Sequence, residues 1–412
     1  MAFLEHLRLQ PMAELPSKQS ILLLHEVGQR YQIQSNGEIP TPSHGDLLIE
    51  IHAIGLNPID WKSATSTYGF GIPQLPCVNG REFVGRVVIS ENGHNGGWKL
   101  GDWVLGISTD YRDFKKAAFQ EFAIVCAHNA IRIPPSIGNP LATAAVGVAY
   151  VTAALSLGVC LGVGFNQHRN ADYHSLLQIA QEDPSILPLD VEPEVIPGIG
   201  HDCSPRPGDW IMIYGASSVT AQIAIQLSKL AGLKVIGVAN LDKHRELLES
   251  LGTDTLINRN DLEAASQELD RLLPGKLRFA IDTVGSSTAE WCQNALIRSR
   301  TQTAGTTTTD REHSTGGSGD EESRQGHLVV FTGKPKTSHP EVKIHRVPVK
   351  LFHTHERIGT YLSGWLHELL EDSSIQLPRS EIIDGGLESI NGALERLKNG
   401  DVSGSRLVIR TK

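Results

Sequence analysis

Trp210-Ile-Met-Ile-Tyr214-Gly-Ala-Ser-Ser-Val-Thr-Ala221 joins a short apolar run, a turn of small residues and the start of a helix that continues through Ile223, Leu227 and Leu230. A second apolar run, Lys234-Val-Ile-Gly-Val238, follows it. The stretch therefore predicts a strand, a covering helix and a second, parallel strand. Downstream the alternation repeats, with helix predicted over 244–251, strand over 278–282, helix over 287–298 and strand over 327–331. Such alternation builds an α/β, doubly wound parallel sheet with helices on both faces. A helix over 360–371 and a β-rich end, Ser405-Arg-Leu-Val-Ile-Arg410, complete the chain.

Upstream the period differs. Between residues 20 and 133, short β-rich runs at 46–54, 83–89 and 119–125 are separated by Gly, Pro and Asn clusters, which predicts a compact β domain. Residues 141–165 carry no charge over 25 positions. A helix apolar on all sides lies either in a core or in a membrane; the Ala and Gly content, with Thr143, Thr152 and Ser156, predicts a core helix between domains. Residues 166–206 read as a polar, proline-bearing surface insertion with one short helix near 173–181. Residues 301–325 hold no large apolar side chain, and a disordered loop is expected there.

Lys and Arg number 37 against 46 Asp and Glu, a net charge of −9, which disfavours nucleic acid and anionic membranes as partners. The five cysteines are widely spaced and contain no Cys-x-x-Cys pair, so neither a disulfide framework nor a cysteine-rich zinc site is indicated. Residues 1–20 have no apolar stretch of signal-peptide length, and a cytoplasmic enzyme is expected.

The turn after Tyr214 carries the first chemistry. Small residues ahead of a helix N-terminus let backbone amides and the helix dipole meet a dinucleotide pyrophosphate, and Gly215, Ala216, Ser217, Ser218 and Val219 are the expected contacts. The pattern is looser than Gly-x-Gly-x-x-Gly, with hydroxyls at Ser218 and Thr220. About 20 residues on, an NAD enzyme places an acid at the end of the second strand. This strand ends in Asn240, followed by Lys243 and His244, a set that favours NADPH.

Three further runs precede this unit: Gly55-Leu-Asn-Pro-Ile-Asp-Trp-Lys62, Pro76-Cys-Val-Asn-Gly-Arg-Glu-Phe-Val-Gly85 and Lys99-Leu-Gly-Asp-Trp-Val-Leu-Gly106. In this order the chain resembles the medium-chain dehydrogenase/reductase superfamily. With Phe279-Ala-Ile-Asp-Thr283, Gly385-Gly-Leu-Glu-Ser389 and Gly400-Asp-Val-Ser-Gly-Ser-Arg-Leu-Val-Ile-Arg410, it resembles more closely the fungal trans-acting enoyl reductases that partner polyketide synthases. The resemblance implies a GroES-like catalytic domain over 1–140, completed by 380–412. A Rossmann cofactor-binding domain over 141–379 then carries insertions at 166–206 and 301–326.

Zinc alcohol dehydrogenases of that superfamily hold their metal with a Cys near the place of Asn57 and a His beside a Glu. Here Asn57 and Arg81 stand at those places, and Glu82 alone cannot hold a tetrahedral ion. No metal is expected, and Glu82 is expected to pair with Arg81 or nearby backbone. The resemblance implies conjugate reduction of an α,β-unsaturated acyl thioester by NADPH. Lys62 is then the active-site cation, Thr152 the residue near the nicotinamide, Asn57 and Asp60 order the loop, and Asp282 lies at the cofactor. Tyr68 is a candidate proton donor. A polyketide synthase or acyl carrier protein is the implied partner. Two rivals stay open: a stand-alone quinone or enone oxidoreductase, and a non-catalytic NADPH-binding partner of a synthase. His353 and His355 alternate as metal ligands do, yet read as surface or packing residues.

Overall fold

A computed structural model describes residues 15–65, 72, 74–90, 97–108, 112–165, 176–182, 184, 187–189, 191–196, 198–306 and 325–412. The first part runs β1 (Gln19–Leu24), β2 (Gln32–Gly37), β3 (Asp46–Gly55), α1 (Pro58–Ser63), β4 (Cys77–Val78), β5 (Glu82–Ser90), β6 (Trp103–Ile107), β7 (Phe122–Cys126) and β8 (Ile131–Arg132). Helices α2 (Gly147–Leu155), α3 (Leu176–Glu182) and α4 (Glu192–Val195) lead to the second part. There β9 (Trp210–Tyr214), α5 (Val219–Leu230), β10 (Lys234–Ala239), α6 (Leu241–Ser250), β11 (Thr255–Asn258), α7 (Leu262–Leu272), β12 (Leu277–Asp282), α8 (Ser286–Thr306) and β13 (Gly326–Val330) alternate. The chain ends with β14 (Val342–Arg346), α9 (Leu351–Thr354), α10 (Glu356–Glu371), β15 (Ser380–Ile383), α11 (Ile390–Lys398) and β16 (Arg406–Arg410).

Six strands in the order β11-β10-β9-β12-β13-β14 form one sheet, and every pairing in it is parallel. Burial on both faces explains the apolar runs Trp210–Tyr214 of β9, Val235–Ala239 of β10 and Phe279–Ile281 of β12. The second large sheet has the order β15-β16-β3-β5-β6-β8, with β7 also on β3. Here β16 pairs antiparallel with β3, Ile409 opposite Ile54, so the last strand of the chain closes the sheet of the first part.

The charge-free run is a buried connection. A 3₁₀ turn over Pro140–Ala145, α2 and a π turn over Ser156–Cys160 follow one another, with Ala149, Ala153, Ala154 and Leu157 fully buried. Helix α2 packs on α5. Among the described residues no helix is long and apolar enough to cross a membrane.

Two expectations need correction. The 166–206 insertion is no mere surface excursion: Leu176, Leu177, Ile179, Ala180, Val191 and Val195 are buried, and α3 packs on the π turn and α10. The apolar spacing within α3 gives it a face to bury, although residues 166–175 lie outside the described part. The expected loop does not begin at 301, because α8 continues to Thr306; residues 307–324, where the rest of that expectation falls, lie outside the described part. Strand β11 and helix α7 were not foreseen.

Candidate active site

Helix α1 is one wall of the site. Asn57 and Asp60 open it: the Asn57 N–H donates to Asp60 Oδ2 at 2.7 Å, and Pro58 stands where a helix needs no N–H. The Asn57 amide donates to Glu82 Oε1 at 2.8 Å, while Glu82 Oε2 accepts from the N–H of Val148 at 2.8 Å. Glu82 thereby ties β5 to the first turn of α2. Its cation is Arg406, at 3.7 Å, rather than the expected Arg81. Burial raises the Glu82 carboxyl above the usual range, against the pull of Arg406.

Asp60 is fully buried, and burial pushes its carboxyl up to about 7 although Arg81 pulls the other way. The Tyr31 hydroxyl donates to the Asp60 carbonyl at 3.0 Å and accepts from Asn79 Nδ2 at 2.8 Å; Arg81 donates to Asn79 Oδ1 at 3.3 Å. Asp60 thus orders the floor and does not reach the cavity.

Between α1 and the parallel sheet lies a cavity of about 560 Å³. Asn57, Ile59, Lys62 and Arg81 line it from the β part, and Val148 and Thr152 from α2. Thr220 closes it from the first turn of α5, Thr283, Val330 and Phe331 from the ends of the parallel strands, and Lys334 and Arg346 stand exposed at its rim. Burial lowers the Lys62 ammonium from its ordinary value. Thr152 faces the cavity while its hydroxyl donates to the Val148 carbonyl at 2.7 Å.

The turn from β9 into α5 is built for close approach. Gly215 has φ +75°, and a Cβ there would meet Thr283 Oγ1 at 2.4 Å. The amides of Gly215 and Ala216 donate to the Val238 carbonyl, and that of Ser218 to the Gly215 carbonyl. Ser218 caps α5, its Oγ accepting from the Ala221 N–H and donating to Thr283 Oγ1. The first-turn amides of α5, at Val219 and Thr220, have no acceptor within the helix and are left to an anion.

Asn240 ends β10 and caps α6; its Oδ1 is buried with no hydrogen-bond partner among the described residues, an acceptor that a ribose hydroxyl would satisfy. Lys243 is exposed beside it. His244 is buried against Ser403, Nε2 to Oγ at 2.8 Å. Burial, with Arg259, Lys243 and Arg379, lowers its pKa. Asp282 is fully buried as well and accepts from the Gly285 N–H at 2.9 Å, so it orders the loop before α8. Arg259, just after the unforeseen β11, is a cation that sequence reasoning missed, close enough to lower the His244 pKa; the short Leu256-Ile257 run was its only signal. These residues fit a dinucleotide of the NAD(P) type.

The place of the catalytic zinc does not fit a metal. Arg81 brings a positive charge, and both Glu82 oxygens already accept hydrogen bonds. Among the described residues no three His, Cys, Asp or Glu side chains cluster as metal ligands. His353 bonds Asn129 at 3.1 Å and His355 caps α10, both in packing roles. The five cysteines are free. Tyr68 lies outside the described residues.

A β module closed by the chain's last strand, set across a cavity from a six-stranded dinucleotide sheet, defines a two-domain nucleotide-dependent oxidoreductase. The family described as "Alcohol dehydrogenase GroES-like domain" matches residues 43–135, and "Zinc-binding dehydrogenase" matches residues 220–298. Both matches are to domains of the medium-chain dehydrogenase/reductase superfamily, which the chain resembles over those residues. It is 26% identical over 389 residues to trans-enoyl reductase resD of Aspergillus sclerotiorum, covering 90% of this chain and 94% of the relative. The crystal structure of the CurK enoyl reductase superposes with a TM-score of 0.62 at 16% identity, over 95% of this chain and 99% of the other. A mycobacterial protein solved with NADPH superposes with a TM-score of 0.65 at 17% identity, over 95% and 100% of the two chains.

Proposed function

We infer that the chain is an NADPH-dependent enoyl reductase that acts in trans on an α,β-unsaturated polyketide acyl thioester during secondary-metabolite synthesis. The observation that carries this reading is the cavity lining: Lys62 and Arg81 project into it from the β part, and no described lining residue is acidic. Conjugate reduction adds hydride at the β-carbon and moves an electron pair onto the thioester oxygen, so the site must hold negative charge without a metal. Bound NADPH supplies the hydride. Lys62 and Arg81 oppose the developing enolate charge, and Thr152 lines the cofactor side. Val330 and Phe331 help exclude water. The enolate then takes a proton at the α-carbon.

NADPH in preference to NADH rests on Asn240 where an acid would repel a 2′-phosphate, with Lys243 and Arg259 beside it. Kinship to trans-enoyl reductases supports a polyketide synthase as partner and an acyl carrier protein as bearer of the substrate. The deciding experiment follows deuteride from labelled NADPH into an enoyl thioester. Label at the β-carbon is the expected result. Reduction of free enones or quinones alone would favour the stand-alone oxidoreductase, and binding of NADPH with no oxidation would favour the non-catalytic partner.

A further inference from the structure

Lys334 and Arg346 are exposed at the cavity rim, and among the described residues neither side chain joins an ion pair. The cavity deepens from them to Arg81 and Asn57, which are 2% and 3% exposed. Its described lining therefore carries cations at the floor and at the mouth with no carboxylate between, in a chain of net charge −9. Such a concentration of one sign marks the path of an anion.

The cofactor's own phosphates lie elsewhere. The pyrophosphate belongs at the first turn of α5, after β9, and the adenosine end at Asn240, after β10. Arg346 ends β14, which stands three strands from β9 and four from β10 in the sheet order. At a spacing of about 4.8 Å per strand, the rim is roughly 14 Å and roughly 19 Å from those places. It lies beyond the Thr283 and Val330 side of the cavity, where a dinucleotide presents its uncharged nicotinamide.

Resting on the thioester reading above, we propose that Lys334 and Arg346 seat the phosphate of the arm that carries the acyl group, a phosphorylated pantetheine. The acyl chain enters first, the thioester reaches Lys62 and Arg81, and the phosphate stays at the mouth. Carrier protein and coenzyme A share this phosphate.

The test measures steady-state rates of the whole protein with NADPH on one enoyl group carried by an acyl carrier protein, by coenzyme A and by N-acetylcysteamine, which has no phosphate. The Lys334→Ala/Arg346→Ala variant is expected to raise KM for the phosphate-bearing thioesters by roughly tenfold, leaving KM for the truncated thioester and for NADPH in place. A greater effect on the carrier-borne substrate identifies the carrier as the source, and a greater effect on the coenzyme A thioester identifies the free thioester. No change, an equal rise with the truncated thioester, or a rise in KM for NADPH overturns the proposal. If the unaltered protein reduces no thioester, the reductase reading fails and calorimetry on the NADP⁺-loaded protein decides the seat. Tighter binding of pantetheine 4′-phosphate than of pantetheine, lost in the variant, supports it; equal binding of the two overturns it.

Discussion

Lys62 and Arg81 reach one cavity from α1 and from the start of β5, and their surroundings set what each can contribute. Lys62 is half-buried with a lowered pKa, so its ammonium is incompletely solvated and more effective against a nascent oxyanion. Lys62→Ala is expected to lower kcat by ~10²–10³ with little change in NADPH affinity, checked by steady-state rates and cofactor titration. A rise in KM for NADPH at unchanged kcat would make Lys62 a cofactor anchor instead. Asp60 offers a pH test. Its carboxyl rises from 3.8 to about 7 in the folded chain, so the native state keeps a proton that the unfolded chain has released. Stability therefore falls as pH rises through that window. Asp60→Asn keeps an acceptor for the Asn57 N–H and removes the titration; urea unfolding should show a shallower decline between about pH 4 and pH 7, the remainder reflecting other raised carboxyls such as Glu82. Arg81 shows a limit of reading single positions. It was legible as a lost ligand and as a partner for Glu82 but not as a lining residue, because a cation's place in a cavity is set by residues hundreds of positions away.

At the scale of elements, strands buried on both faces announced themselves as continuous apolar runs, and β9, β10 and β12 begin or end within about a residue of their expected bounds. Strand β11 escaped because only Leu256 and Ile257 mark it, too short a run for any period. Its loss concealed Arg259, which follows that strand and, like Lys243, acts on His244. The surroundings of His244 were hidden for another reason: sequence shows its place on α6 but not Ser403, which arrives from the far end of the chain. On the NADPH reading proposed above, Lys243 and Arg259 are the cations placed to meet a 2′-phosphate. Lys243→Ala is expected to narrow the preference for NADPH over NADH by about 1 kcal/mol, the modest value suited to an exposed contact, and adding Arg259→Ala should narrow it further. Fluorescence titration with both cofactors reads this directly, and equal affinities in the unaltered protein would remove the basis for the NADPH assignment.

Across the whole molecule, Glu82 is where distant parts of the chain meet: β5 supplies it, Asn57 and the Val148 N–H donate to it, and Arg406 arrives on the closing strand β16. The place where zinc alcohol dehydrogenases hold their metal is here a joint between the β module and α2, the helix that carries Thr152 into the cavity. Both charges are buried, with Arg406 only 4% exposed and Glu82 fully enclosed, so each depends on the other for compensation. Removing one partner leaves an uncompensated buried charge. Glu82→Gln and Arg406→Met are each expected to destabilise the fold by about 3 kcal/mol, and the double variant by clearly less than the sum. Urea denaturation of the four proteins measures the cycle. Strict additivity would show that the two charges act independently at their 3.7 Å separation. Glu82→Gln carries a second consequence, because an amide nitrogen turned toward Val148 would oppose its N–H where an oxygen now accepts. The start of α2 must then shift, and Thr152 with it. Cofactor affinity should fall in Glu82→Gln even where the protein stays folded, but not in Arg406→Met, which leaves the Val148 contact intact.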